Sequence, residues 1–181
     1  MQKPKLLLLD ADVVIEAHKL GIWEVLKKAF SIGVPATIVR EARYFISSSG
    51  SRGISLQAEI NAAEITCLDA TADEILATFE KFDPVFLQGI DDGDKEGIAI
   101  IHCEKATDCV FCTGDTNAVE AVGMLAIDEH SISFEAVLQM AKVAAARLRP
   151  SMTIKAHEHH IKKGRTRRLT GEYFTISPLG I

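Results

Sequence analysis

The feature that most constrains this chain is Leu6-Leu7-Leu8-Leu9 closed by Asp10. Four apolar residues without polar alternation suit a central strand covered on both faces, as in parallel sheets layered between helices. The run is far too short to span a bilayer, because Asp10 and Asp12 interrupt it. Helical spacing follows over 13–19 and 22–30, the second from Ile22, Val25, Leu26 and Ala29. A strand over 31–34 leads to Pro35, which suits the first turn of a helix burying Ile38, Val39, Ala42 and Phe45.

Residues 46–53, with four serines and two glycines, read as a mobile surface loop. A helix over 55–63 and a strand over 64–68 come next, and Thr71 with Glu74 makes a capping box opening a helix to about residue 82. The pattern continues with a helix over 93–104, a strand over 109–113, a helix over 116–123 and a strand over 124–127. A last helix over 133–148 carries Phe134, Val137, Leu138, Ala141, Ala144, Ala145 and Leu148 at helical spacing. Alternating strands and helices predict an α/β fold with an open parallel sheet. With 181 residues, 48% of them hydrophobic, one substantial core is expected. Pro150 marks the boundary between a domain over 1–150 and a C-terminal extension over 151–181, read as a helix near 152–162 and a polar, basic tail.

Cys67, Cys103, Cys109 and Cys112 form no dense framework and follow nothing that reads as a secretory signal, so reduced thiols in a cytoplasmic protein, with no membrane partner, are expected. Cys109 and Cys112 lie in Cys-Val-Phe-Cys, where a strand points residues three apart to opposite faces, against a zinc or redox pair. The net charge of −5 gives no argument for a polyanionic partner.

The acids are more informative. In a parallel α/β sheet, strand C-termini and helix N-termini share one edge, where ligands bind. Asp10 follows the first strand, Glu41 lies early in the helix after the second, Asp94 opens the helix at 93, and Asp115 follows the strand at 109–113. Each alone has an ordinary explanation as a helix cap, a dipole complement or a surface ion pair. Together, carboxylates converging without compensating bases require protons or a cation. Oxygen ligands of this kind suit Mg²⁺ or Mn²⁺.

The same residues carry a resemblance. Leu-Leu-Leu-Leu-Asp-Ala-Asp-Val-Val-Ile at 6–15, Val34-Pro35 followed by Ile-Val-Arg-Glu at 38–41, Asp-Gly-Asp-Lys-Glu-Gly-Ile-Ala-Ile at 92–100, and Thr113-Gly114-Asp115 resemble, in order, the motifs of PIN-domain (PilT N-terminus) ribonucleases, including VapC-like toxins. The resemblance covers roughly residues 5–148. It implies a three-layer α/β/α fold and metal-dependent hydrolysis of RNA phosphodiesters, with Asp10, Glu41, Asp94 and Asp115 as metal-binding acids. It places Glu96, Thr113 and Asn117 in supporting roles, with Glu96 able to share the third position. For toxin members it implies an antitoxin protein as partner, and it implies a homodimer. Asp12 stands where the family often has Asn or Ser, the 46–53 stretch reads as inserted, and the tail after 150 exceeds a compact toxin.

Two further segments carry charge. Lys155, Lys162, Lys163, Arg165, Arg167 and Arg168 face only Glu158, a run suited either to contact RNA phosphates or to stand as a solvated tail. His157, Glu158, His159 and His160 lack the i, i+4 histidine pair of a zinc helix and read as structural.

Two other functions fit parts of the chain. Asp10-Ala-Asp12-Val-Val resembles the opening of haloacid-dehalogenase-like phosphatases, with Asp10 as nucleophile, and Val110-Phe-Cys-Thr113 their second motif; the order of motifs counts against it, because the acid-rich 91–96 stretch comes before that second motif. A PIN-like fold that binds RNA or protein without catalysis is the other.

Overall fold

The computed structural model describes residues 6–47, 50–106, 108–144 and 147–175. Its centre is a four-stranded, wholly parallel sheet of β1 (Leu6–Leu9), β2 (Ile32–Pro35), β5 (Thr66–Leu68) and β6 (Cys109–Cys112), in the order β5-β2-β1-β6. The leucine run is the inner strand β1, and its residues divide by parity. Leu7 and Leu9 join the core on one face with Val13, Leu26, Val34, Ile38 and Phe134. Leu8 joins the core on the other with Phe86, Ile98, Ile100, Phe111 and Val122. The chain is therefore the three-layer α/β/α protein expected.

On the first face lie α1 (Ala11–Lys19), α2 (Trp23–Ala29), α3 (Ala36–Glu41), α4 (Leu56–Asn61) and α9 (Phe134–Met140). The second is covered by α5 (Ala72–Phe79), α6 (Pro84–Leu87), α7 (Asp92–His102), α8 (Thr116–Leu125) and α10 (Ile154–Thr170). Cys109 belongs to the second core and Cys112 to the first, so the two thiols do sit on opposite faces of the sheet. No helix among the described residues is long and apolar enough to cross a membrane.

Five local readings are corrected. The stretch 46–53 is not a loop: β3 (Tyr44–Ser47) and β4 (Gly50–Gly53) form an antiparallel hairpin, with Ser48 and Ser49 outside the described residues. All of β4 is exposed, so the stretch needs little apolar content to be a strand. Glu41 is the last residue of α3, not an early one, because the helix ends before the hairpin. The helix from Thr71 stops at Phe79, and a separate turn, α6, starts at Pro84, with Asp83 accepting from Val85 N–H. Residues 124–127 are not a strand: Met124 and Leu125 finish α8 and Ala126 closes it in the left-handed region, while Ser131 makes only a single parallel bridge to Phe111. Finally, α9 ends at Met140 rather than 148. Val143 N–H bonds Leu138 C=O and Lys142 N–H bonds Gln139 C=O, a Schellman closure that overrides the helix propensity of the following alanines; Ala145 lies outside the described residues.

The segment after 150 continues as helix to Thr170, well past 162, and packs along α8. Gly123 and Gly164 allow this approach: a Cβ on Gly164 would stand 2.1 Å from the Glu120 carbonyl oxygen, and one on Gly123 2.5 Å from that of Ile161. Only two facing glycines bring these backbones so close.

Candidate metal centre

The sheet's switch point sets the site. β1 is followed by α1 on one face and β6 by α8 on the other, so a crevice opens between the C-terminal ends of these paired strands. Asp10 and Asp115 stand on its two sides. Each caps the helix that follows: Asp10 Oδ1 accepts from Val13 N–H at 2.6 Å, and Asp115 Oδ1 from Ala118 N–H at 2.7 Å. Capping uses one oxygen of each carboxylate.

Asp94 reaches the crevice from α7. Gly97 lays α7 on the Phe111 ring of β6, and one turn earlier Gly93 admits Ile38 and Glu41 of α3. A Cβ would meet the ring at 2.6 Å and Ile38 Cδ1 at 2.2 Å. The two glycines seat the helix close enough for Asp94 to be buried beside Asp10.

Thr113 joins the two acids. Its hydroxyl lies 2.6 Å from Asp10 Oδ2 and 2.7 Å from Asp94 Oδ1, and accepts from Asp115 N–H at 3.0 Å. Gly114 N–H donates to Asp10 Oδ2 at 2.9 Å. A hydroxyl owns one proton, so it donates to one carboxylate, and the other contact requires a proton on the acid itself. The electrostatics agree. Burial pushes Asp10 up to about 6, against the hydrogen bonds from Thr113, Val13 and Gly114 that favour its anion. Burial and the neighbouring Asp10 push Asp94 well above the usual carboxylate range. Asp115 is raised by burial and by the charges of Asp91 and Asp12, and Glu41 by burial with Asp91 and Asp92.

The remaining expected residues divide. Glu41 is exposed at the crevice rim, beside Gly93 rather than against Asp10. Glu96 is buried, but its oxygens accept from Thr37 N–H at 2.7 Å and Ala70 N–H at 3.4 Å, tying α7 to the ends of β2 and β5. Asn117 donates to Gly89 C=O at 2.9 Å and so fixes the turn before α7. Asp12 accepts from Arg149 at 2.7 Å, and its charge acts on Asp10 and Asp115. Asp91, which the sequence reading passed over, is the exposed N-cap of α7 without a side-chain capping bond, and its charge acts on Asp94, Asp115 and Glu41. Its signal was available: the residue before a helix at this edge faces the same crevice.

The donor set fits a hard divalent cation, being carboxylate and hydroxyl oxygen that share a proton where a counter-charge is due. Among the described residues no three ligating side chains enclose one point; the acids line the crevice instead.

Much of the basic run is engaged in ion pairs within the chain, although Lys163 and Arg165 stay exposed. Lys163 and Arg167 pair with Glu120, and Arg165 with Asp128. Of the five residues Lys162, Lys163, Arg165, Arg167 and Arg168, only Lys162 and Arg168 form no ion pair among the described residues. The histidines are likewise engaged. His157 Nε2 lies 2.9 Å from Ser131 Oγ, with burial lowering the imidazole to about 4, and His160 Nδ1 lies 2.7 Å from Glu120. Comparison with protein-family models, with curated proteins and with solved structures finds no match to the chain.

Proposed function

We propose that this chain is a divalent-metal-dependent endoribonuclease of the PIN type. The observation that carries the reading is the Asp10–Thr113–Asp94 contact: two buried carboxylates joined through one hydroxyl, with no basic side chain among the described residues bonded to either, at the ligand-binding edge of a parallel sheet. Asp10, Asp94 and Asp115 would hold Mg²⁺ or Mn²⁺, with Glu41 at the rim. When bound, the ion lowers the pKa of water and offsets charge on the phosphoryl oxygens. The chain's own residues orient the carboxylates: Val13 and Gly114 N–H fix Asp10, Thr113 couples it to Asp94, and Ala118 N–H fixes Asp115. RNA as the substrate rests on the four motifs, and a toxin role with an antitoxin or a homodimer rests on them alone. No strand follows β6 among the described residues beyond the Ser131 bridge, so the phosphatase alternative gains no place for its closing acids.

The test combines cleavage with metal binding. Wild type should cut a mixture of structured and unstructured RNA with Mg²⁺ or Mn²⁺, and Asp10→Asn or Asp94→Asn should each lower the rate about a hundredfold or more, since even groups behind a metal ligand are worth 10–100-fold. At a hundred times its dissociation constant, Mn²⁺ should stabilise wild type by about 2.7 kcal/mol in thermal unfolding, and Asp94→Asn should lose most of that gain. Metal-independent binding of RNA with no cleavage would favour a non-catalytic module.

A further inference from the structure

The β3–β4 hairpin stands where a loop was expected, and it builds a cleft beside the crevice. Ile15 and Lys19 of α1, Glu41 at the end of α3, and Tyr44, Phe45 and Ile46 of β3 enclose about 270 Å³. That is just below the range of drug-sized ligand pockets and suits one planar heterocycle.

Its walls are unusual for a surface this polar. Tyr44 is 59% and Ile46 69% exposed, two of the few large apolar side chains that the fold leaves in solvent, and they alternate on one strand. Phe45, between them, stacks on His18 at 5.8 Å, and His18 stacks on Trp23 at 4.9 Å, so the strand is anchored to α1 and α2 by a column of rings. The cleft is therefore preorganised. Its charge differs from that of the crevice next to it: Lys19 lines it, its ammonium 3.9 Å from Glu16, and the exposed Arg40 and Arg43 stand close to Glu41 in the sequence.

We infer that this cleft, built by the β3–β4 hairpin, seats one nucleobase of the strand whose phosphate enters the carboxylate crevice. The inference rests on the proposed reading of the crevice as the place where RNA phosphates bind. Three features support a base as the occupant. An aromatic side chain offers a stacking face to any unstacked base. The cationic flank suits phosphates on either side of that base. Glu41 belongs both to the cleft and to the rim of the acidic site, which places the base one step from the reacting phosphate. A base held in a duplex cannot enter such a cleft, because its faces are already stacked.

The test compares two probes of equal charge, a heptamer of adenosine ribonucleotides and a heptamer of abasic ribose phosphates, binding to the full chain at low salt in EDTA. Wild type should bind the adenosine strand about tenfold more tightly, the lower part of what one stacked base provides. Tyr44→Ala should bring the adenosine strand down to the abasic level and leave abasic affinity unchanged, while Tyr44→Phe should keep the preference. No preference in wild type, or equal weakening of both probes by Tyr44→Ala, overturns the inference. So does an unchanged preference in Tyr44→Ala combined with loss of a protein dimer in sedimentation, which would mark the cleft as a contact between copies. Cleavage with Mn²⁺, assayed in parallel, separates the two readings: base preference without cleavage removes the nuclease reading and keeps the cleft, and cleavage without base preference does the reverse.

Discussion

Two of the places where this molecule buries carboxylates treat them in opposite ways. In the crevice, Asp10 and Asp94 are 3% and 6% exposed and, among the described residues, bond to hydroxyl and backbone N–H groups alone. Between α8 and α10, Glu120 is 1% exposed, with His160 Nδ1 and Lys163 Nζ at 2.7 and 2.9 Å and Arg167 on its other oxygen. Burial alone would raise all three acids. The crevice acids are raised, whereas at Glu120 the bonds from Lys163 and His160 and the charge of Arg167 outweigh burial and bring the carboxyl below its ordinary value. The depth of an acid therefore says little about its use; what lies opposite does. Glu120 is completed by its own chain and holds α10 in place, while the crevice acids are left short of positive charge.

The largest test of that contrast is Glu120→Gln. It keeps the shape, leaves Lys163 without its anion and leaves Arg167 the longer contact to the exposed Glu172 at 3.6 Å, and removing one partner of a buried pair costs about 3–5 kcal/mol. Urea denaturation should show that loss, with α10 the first element to gain amide exchange. Asp94→Asn in the metal-free protein should show none of it, because it replaces a carboxyl that has no cationic partner among the described residues. Equal losses in the two variants would break the contrast.

The next effect is the dependence on pH, where the two regions have opposite signs. Asp10 moves from its ordinary 3.8 to about 6 on folding. Between these values the folded protein keeps a proton that the unfolded chain has released. Its contribution to stability is therefore present below pH 4 and lost as pH rises through 6, a change of about 3 kcal/mol at 1.36 kcal/mol per unit. Glu120, lowered on folding, contributes stability above its ordinary 4.5 that is lost as pH falls through its lowered value. Denaturation of wild type and Asp10→Asn at intervals from pH 4 to 7, without metal, should show the stability of wild type relative to the variant falling across that window. A flat difference would sink the assignment of Asp10 as an uncompensated buried acid.

Much of this was legible in the sequence, and the division has a physical cause. The leucine run announced an inner parallel strand because it lacks alternation, and its parity then separated Cys109 from Cys112. Asp10, Asp94 and Asp115 could be brought to one edge because a parallel sheet has one edge for strand ends and helix starts. Glu96 could not be told from Asp94 by spacing, since both lie in the first turns of α7; only the partners, Thr113 for one and backbone N–H of Thr37 and Ala70 for the other, separate them. The pairing of the basic run was hidden for a related reason. A stripe of Lys and Arg reads the same whether it meets solvent or a buried acid, and Glu120, at the middle of an apolar helix, gave no local sign that it would meet α10. The hairpin was hidden because an exposed strand of glycine and serine has no apolar face to betray it.

The smallest effect asks how far the surroundings of Glu120 are redundant. Lys163 is 45% exposed at its side chain and shares Glu120 Oε1 with His160, so its charge is partly screened by solvent and its loss leaves the carboxylate with two other partners. Lys163→Ala should cost no more than about 1 kcal/mol, in the range of exposed ion pairs. Arg167 is different: only 11% exposed, it also lies over the Tyr173 ring at 4.5 Å and the Phe86 ring at 5.6 Å. Arg167→Ala should therefore cost more than Lys163→Ala, and the excess should survive high salt, because packing and the cation–π contact persist where a screened ion pair fades. If instead the two variants fall equally and both recover in salt, the α8–α10 contact is held by surface charge, and its likeness to a closed, internally neutralised counterpart of the crevice is lost.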